Sequence, residues 1–339
     1  MTRITAQDGY THKFLWSFLH PKYWGVWLGV LGLVILAYVP VRIRDKLSAF
    51  VGKMAYRYLK QKNKKGYHRA KVNLRYCFPD WSEKKREEVV EKMFITVAQT
   101  MLAIGETAIR PASYLQKRCE FTGFENVVKA KESGKNVIML VPHTWSIDMA
   151  GVAMFSLGYP MTSMYNPHRN ALVDWLWNIT RERLGGRMHT RQNGIKAFLA
   201  DVRKGDVGYF LPDEDFGEEL SVYADFFATE KATLPGLNKM ARVANAEVIP
   251  MFSIYNAEKA KYEMEILPPL EFSGDPIQSA REMNRVIEYF VEKNPGKLYR
   301  KTPSSMFGFY VCLKPDETGK IFIYNIGKRK LKSKLYYQT

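Results

Sequence analysis

His143 closes the run Asn136-Val-Ile-Met-Leu-Val-Pro-His143, and Asp148 stands five residues further on. A histidine just past the end of a buried strand sits where open α/β sheets gather reactive groups. Imidazole can take up and return a proton near neutral pH, and a carboxylate on one ring nitrogen leaves the other as a base, as in the His-Asp half of a triad. Five positions along a regular helix turn through about 500°, so the two side chains would not share a helical face. The pair works if His143 precedes the helix and Asp148 reaches back from it. No serine or cysteine nucleophile is evident beside them, which leaves a substrate hydroxyl to attack. The plainer alternative is a structural histidine followed by a helix-capping aspartate.

The elements that would position this pair are legible as alternating patterns. Short apolar runs at 137–141, 161–165, 207–211, 248–255 and 262–267 read as strands. Helical spacing fills most of the gaps, at 147–157, 171–184, 195–204, 234–244 and 277–293. The expected fold is therefore α/β, a central mixed sheet with helices on both faces. Ser82 reads as the N-cap of a packing helix whose apolar positions include Val89, Val90, Met93, Phe94 and Val97.

Upstream, residues 23–41 contain no charge, just reach spanning length, and place Tyr23, Trp24, Trp27 and Tyr38 as interfacial aromatics would sit. A secretory signal peptide and a buried core helix are the competing readings of the same run, the first disfavoured by the late start and the lack of a clear small-x-small cleavage site. Between Arg42 and Arg75 there are twelve Lys or Arg and one acid, Asp45. That bias reads as a retained single-pass anchor with everything after it in the cytoplasm, its basic collar lying against an anionic membrane surface. Across 339 residues the net charge is +17. Anionic partners follow, and a mean hydropathy of −0.28 excludes a polytopic transporter. Aromatic residues are interleaved in the collar, but no nucleic-acid module follows them, so nucleic acid is not an expected partner. Cys77, Cys119 and Cys312, odd in number and widely spaced, fit neither a disulfide framework nor a cysteine metal site.

Longer stretches narrow the chemistry. Phe14 to Trp27 with its His-Pro-Lys-Tyr-Trp-Gly, Val141-Pro-His-Thr-Trp-Ser-Ile-Asp148, Leu184-Gly-Gly-Arg-Met-His189, Leu211-Pro-Asp-Glu-Asp215 and Asp225-Phe-Phe-Ala-Thr-Glu-Lys-Ala-Thr-Leu-Pro235 resemble the late acyltransferases of lipid A biosynthesis, nearest their myristoyltransferase branch. The resemblance runs from about residue 17 to 293, and the His-x-x-x-x-Asp element is shared with glycerolipid acyltransferases broadly. It implies a glycerolipid-acyltransferase-like fold and transfer of a fatty acyl chain from acyl carrier protein to the 3-hydroxyl of an acyl chain on a lipid A precursor. It also implies a place at the bacterial inner membrane and no metal or diffusible cofactor.

Within that resemblance His143 is the general base, Asp148 holds its tautomer, and Arg181 stabilises the thioester oxyanion. Asp213 and Asp215 match the family's Pro-Asp-x-Asp and would orient basic groups or substrate. Arg187 and His189 are candidates for the lipid phosphates. Gly217 is followed by Glu218 where the family usually has proline, which puts that loop's conformation in question. The implied organisation is an N-terminal segment with the anchor (1–41), a basic and amphipathic helical region (42–118), a catalytic α/β domain (119–293) and an atypical tail (294–339). Two rivals stand beside it: an acyltransferase for another lysophospholipid or glycolipid, and a non-catalytic, membrane-tethered lipid-binding protein. In the tail, the stretch from Pro303 to Pro315 can be back-translated so that a shifted frame spells Glu-Gln-Tyr-Val-Trp-Ile-Leu-Arg-Leu-Leu-Lys-Thr-Arg, matching the family's ending. The sequence reading is thus a single-nucleotide frame slip between about Asn294 and Thr302.

Overall fold

The computed structural model describes residues 13–191, 194–213 and 221–294. Two short 3-10 turns, Trp16–Leu19 and Pro21–Tyr23, lead into α1 (Trp24–Tyr38) and α2 (Val41–Gln61). Then come α3 (Lys65–Cys77), α4 (Glu83–Leu102), α5 (Gly105–Ile109) and α6 (Ala112–Lys117). The Ser82 hydroxyl accepts from Lys85 N at 3.2 Å, so α4 starts at the expected cap.

The α/β part runs β1 (Cys119–Thr122), α7 (Glu125–Glu132), β2 (Asn136–Leu140), α8 (Ile147–Ser156), β3 (Met161–Tyr165), α9 (Ala171–Glu182) and β4 (Arg187–Thr190). It continues with α10 (Gly194–Arg203), β5 (Val207–Phe210), the hairpin β6 (Val222–Phe226) and β7 (Thr229–Thr233), α11 (Leu237–Ala244), β8 (Ala246–Asn256), β9 (Lys261–Ile266) and α12 (Pro276–Lys293). Seven strands form one sheet in the order β1-β9-β8-β2-β5-β3-β4. Only the β8–β9 pair within it is antiparallel, so the sheet is mixed as expected.

Alternation along β2 divides the core. Ile138 and Leu140 face one layer with Phe198, Phe210, Val248 and Phe252, while Val137, Met139 and Val141 face the other with Met149, Val152, Val207 and Tyr209. Buried on both faces, β2 reads as an unbroken apolar run, as central parallel strands do. Sequence patterning missed the short strands β1 and β4 and the β6–β7 hairpin. Four or five residues that mix charge with apolar side chains, such as Arg187-Met-His-Thr190, leave no period to detect.

Candidate active site

Register decides the centre of the site. β2 and β5 are parallel neighbours that pair Ile138 with Gly208 and Leu140 with Phe210, and Val141 N extends the ladder to Phe210 O at 2.9 Å. The strands leave the sheet through matching exits, Val141-Pro142-His143 and Leu211-Pro212-Asp213. At the same offset His143 meets Asp213. The Nδ1 of His143 lies 2.6 Å from Asp213 Oδ1, and the backbone N–H of His143 donates to Asp213 Oδ2 at 3.0 Å. Both residues are buried. An ionised carboxylate only accepts, so the ring proton resides on Nδ1 and the lone pair is directed from Nε2.

The next residue fixes the turn that follows. Thr144 Oγ1 lies 2.9 Å from Ser253 Oγ on β8 and accepts from Ser146 N at 3.2 Å, with Thr144 and Ser253 fully buried. From that turn α8 starts, and Asp148 falls in its first turn, where the positive end of the helix dipole favours a carboxylate.

Asp148 holds an arginine. Arg181 Nε donates to Asp148 Oδ1 at 2.8 Å, and the guanidinium lies 5.2 Å from the centre of the Trp177 ring. Arg181 lies in the last turn of α9, where the dipole favours a cation, so the ion pair joins the negative end of one helix to the positive end of another. α9 is started by Asn170, whose side chain accepts from Leu172 N and Val173 N. Beneath, the Tyr209 phenol donates to Ile147 O at 2.9 Å; burial, reinforced by the nearby Asp148 charge, pushes its pKa well up.

The structure therefore pairs two groups differently from the sequence motif. The carboxylate found at His143 Nδ1 is Asp213, not the Asp148 of the sequence motif, and Asp148 is the partner of Arg181. A five-residue spacing suggested a local pair, but a strand register makes a closer one. The clue available in sequence was the repeated apolar-Pro exit before His143 and Asp213. Arg187 and His189 lie on β4, at the edge of the sheet. Arg187 Nη1 pairs with Asp206 at 2.5 Å and with Asp201 at 3.6 Å, and His189 Nε2 lies 2.6 Å from Asp201. Through β3, Arg187 is level with Thr162 and Gly208, below the strand exits, while His189 is level with Met164; β5 and β3 stand between β4 and β2, and this sets both residues apart from the His143 cluster. Asp215, Gly217 and Glu218 lie outside the described residues.

A family described as bacterial lipid A biosynthesis acyltransferase matches residues 11–299. The chain belongs to that family. It is similar to a lipid A biosynthesis acyltransferase of Haemophilus influenzae, 59% identical over 293 residues, covering 86% of this chain and 91% of that one. It is also similar to the lipid A biosynthesis myristoyltransferase of Escherichia coli K12, 40% identical over 288 residues, covering 84% and 88%. Among solved structures, a 1-acyl-sn-glycerophosphate acyltransferase from Thermotoga maritima matches with 13% identity and a TM-score of 0.35, covering 76% of this chain and 99% of that one. As a family member the protein is an acyltransferase of lipid A biosynthesis.

Proposed function

We propose that the protein transfers a fatty acyl chain, myristoyl in the first instance, from acyl carrier protein to the hydroxyl of a 3-hydroxyacyl chain on a lipid A precursor. His143 Nε2 removes the acceptor hydroxyl proton as the oxygen attacks the thioester carbon. Asp213 holds the imidazole and stabilises the imidazolium. Arg181, whose orientation is set by Asp148, meets the oxyanion. When the C–S bond breaks, the imidazolium returns its proton to the departing thiolate. The observation that carries this reading is the buried His143–Asp213 pair at adjoining strand exits, in a chain of this family.

The myristoyl assignment is supported by the 40% identity to the Escherichia coli myristoyltransferase. The +17 charge suits two anionic substrates, an acidic carrier protein and a phosphorylated glycolipid. The apolar N-terminal helix keeps the enzyme on the inner membrane, with the catalytic part on the cytoplasmic side where the basic collar lies. How that helix sits in the bilayer depends on what its two ends touch. Assay of the purified protein with acyl carrier proteins bearing chains of different length, against a lipid A precursor and against lysophospholipids, tests the function. Preferred acylation of a lysophospholipid would overturn it, as would turnover unaffected by His143→Ala.

A further inference from the structure

Residues on both sides of α1 rest on the same folded body. Before it, Phe14 and Phe18 pack their rings 5.5 and 5.7 Å from the ring of Trp175 on α9, the helix that carries Arg181, and Phe18 is buried. Trp27 Nε1 donates to Phe18 O at 2.8 Å, folding this lead-in against the start of α1. At the other end, the backbone of α1 meets α5 so closely that a Cβ on Gly105 would lie 2.3 Å from Leu33 O. Arg44 donates to Leu36 O at 3.3 Å and pairs with Glu106 at 2.8 Å, both side chains fully buried, while Arg110 lies over the Tyr38 ring.

A crossing helix separates its flanks by the hydrocarbon core, about 30 Å, whereas the 15 residues of α1 rise only about 22 Å. With α9 holding the lead-in and α5 holding the far end, a crossing would draw both into hydrocarbon together with α1. The end of α9, Thr180-Arg181-Glu182-Arg183, is too charged for that.

The outward faces supply the alternative. Along α1 the exposed residues Trp24, Leu28, Leu31, Ile35 and Tyr38 follow one another at spacings of four and three. On α2 the same spacing continues as Ile43, Leu47, Phe50, Met54 and Tyr58, also exposed. The opposite face of α2 is committed to protein: Arg44, Ser48, Gly52 and Tyr56 are buried, and a Cβ on Gly52 would meet the α4 backbone at 2.7 Å. Exposed Arg42, Lys46, Lys53, Arg57 and Lys60 line one flank of the apolar stripe. An apolar face with a cationic flank is the pattern of a helix lying in the headgroup boundary of an anionic bilayer.

We propose that α1 and α2 bed together into one leaflet of an anionic bilayer, so that the protein is monotopic and not single-pass. The occupant of both stripes is lipid, because the exposed face of α2 continues that of an 18-residue apolar segment of which only 6% is buried, and its flank carries charge opposite to the headgroups. Since the lead-in to α1 packs on α9, the arrangement sets Arg181 near the leaflet surface, where an acceptor acyl chain can reach it without leaving the membrane.

Topology tests this directly and reads no activity, so its failure would leave the acyltransfer reading standing. The full chain carrying Lys13→Cys or Glu132→Cys is labelled with a membrane-impermeant maleimide in right-side-out and in inverted inner-membrane vesicles, over the background of the unsubstituted chain. Both cysteines are expected to label in inverted vesicles only. Labelling of Lys13→Cys from the side opposite to Glu132→Cys would overturn the proposal. In a second measurement, Phe50→Asp/Met54→Asp, with unchanged circular dichroism, is expected to partition at least about tenfold less onto phosphatidylethanolamine–phosphatidylglycerol vesicles at high salt. Unchanged partitioning, or loss of a dimer instead of loss of vesicle binding, would overturn the assignment of lipid to the α2 face.

Discussion

The two carboxylate oxygens of Asp213 take the ring Nδ1 and the backbone N–H of the same residue, His143, seventy positions upstream. One carboxylate thus sets the ring tautomer and also ties down the chain that carries the ring. Asp213→Asn preserves shape but presents a neutral amide to the ring. The expected result is a fall in kcat of about 10²-fold to 10⁴-fold with KM little changed. His143→Ala should fall as far, and the double variant should be no worse than either alone, because the two act as one unit. Steady-state kinetics on the three variants check this, and additive losses would separate the residues.

In the proposed mechanism Asp148 acts through Arg181, its ion-pair partner, so its effect should vanish when the arginine is gone. Arg181→Ala is expected to lower kcat by about 10²-fold to 10³-fold, in the range seen when an oxyanion donor is removed. Asp148→Ala should cost less than that in the wild-type background and nothing further in the Arg181→Ala background. A double-mutant cycle measures it. Equal losses in both backgrounds would assign Asp148 a role apart from Arg181.

Stability toward acid should have one identifiable source in the helical region. Burial would raise the Glu87 carboxyl, but the phenols of Tyr56 and Tyr67 and the ammonium groups of Lys60 and Lys71 bring it down to about 2. A depressed carboxylate contributes stability that is complete above its unfolded pKa of about 4.5 and is lost as the pH falls toward 2. Glu87→Gln is expected to cost on the order of 2 kcal/mol at pH 7, the figure reduced for partial exposure. The difference from wild type should shrink between pH 4.5 and 2 in denaturant titrations.

The family match ends at residue 299, and the tail beyond it lies outside the described residues. If a single-nucleotide slip separates the tail from the family ending, the third bases of the codons for 303–315 will spell that ending in the shifted frame. Resequencing the gene reads them. If the family ending packs on the α/β part, restoring the frame is expected to raise the melting temperature.

Much of the protein was written locally. The strand-helix alternation from residue 137 to 293, the Ser82 cap, and His143 as a reactive type follow from side-chain periodicity and chemistry that act over a few residues, whereas Arg181 was marked only by the family resemblance. The apolar run at 23–41 and the basic collar after it are likewise plain in sequence. Only the tertiary structure decided which groups meet. Register between two parallel strands brings Asp213 to His143 across seventy residues, while Asp148, five residues away, turns with its helix toward α9. Hydropathy records how apolar a segment is but not which of its faces is already packed. The contacts of Phe18 with Trp175 and of Leu33 with Gly105 therefore had to be seen before the disposition of α1 could be argued.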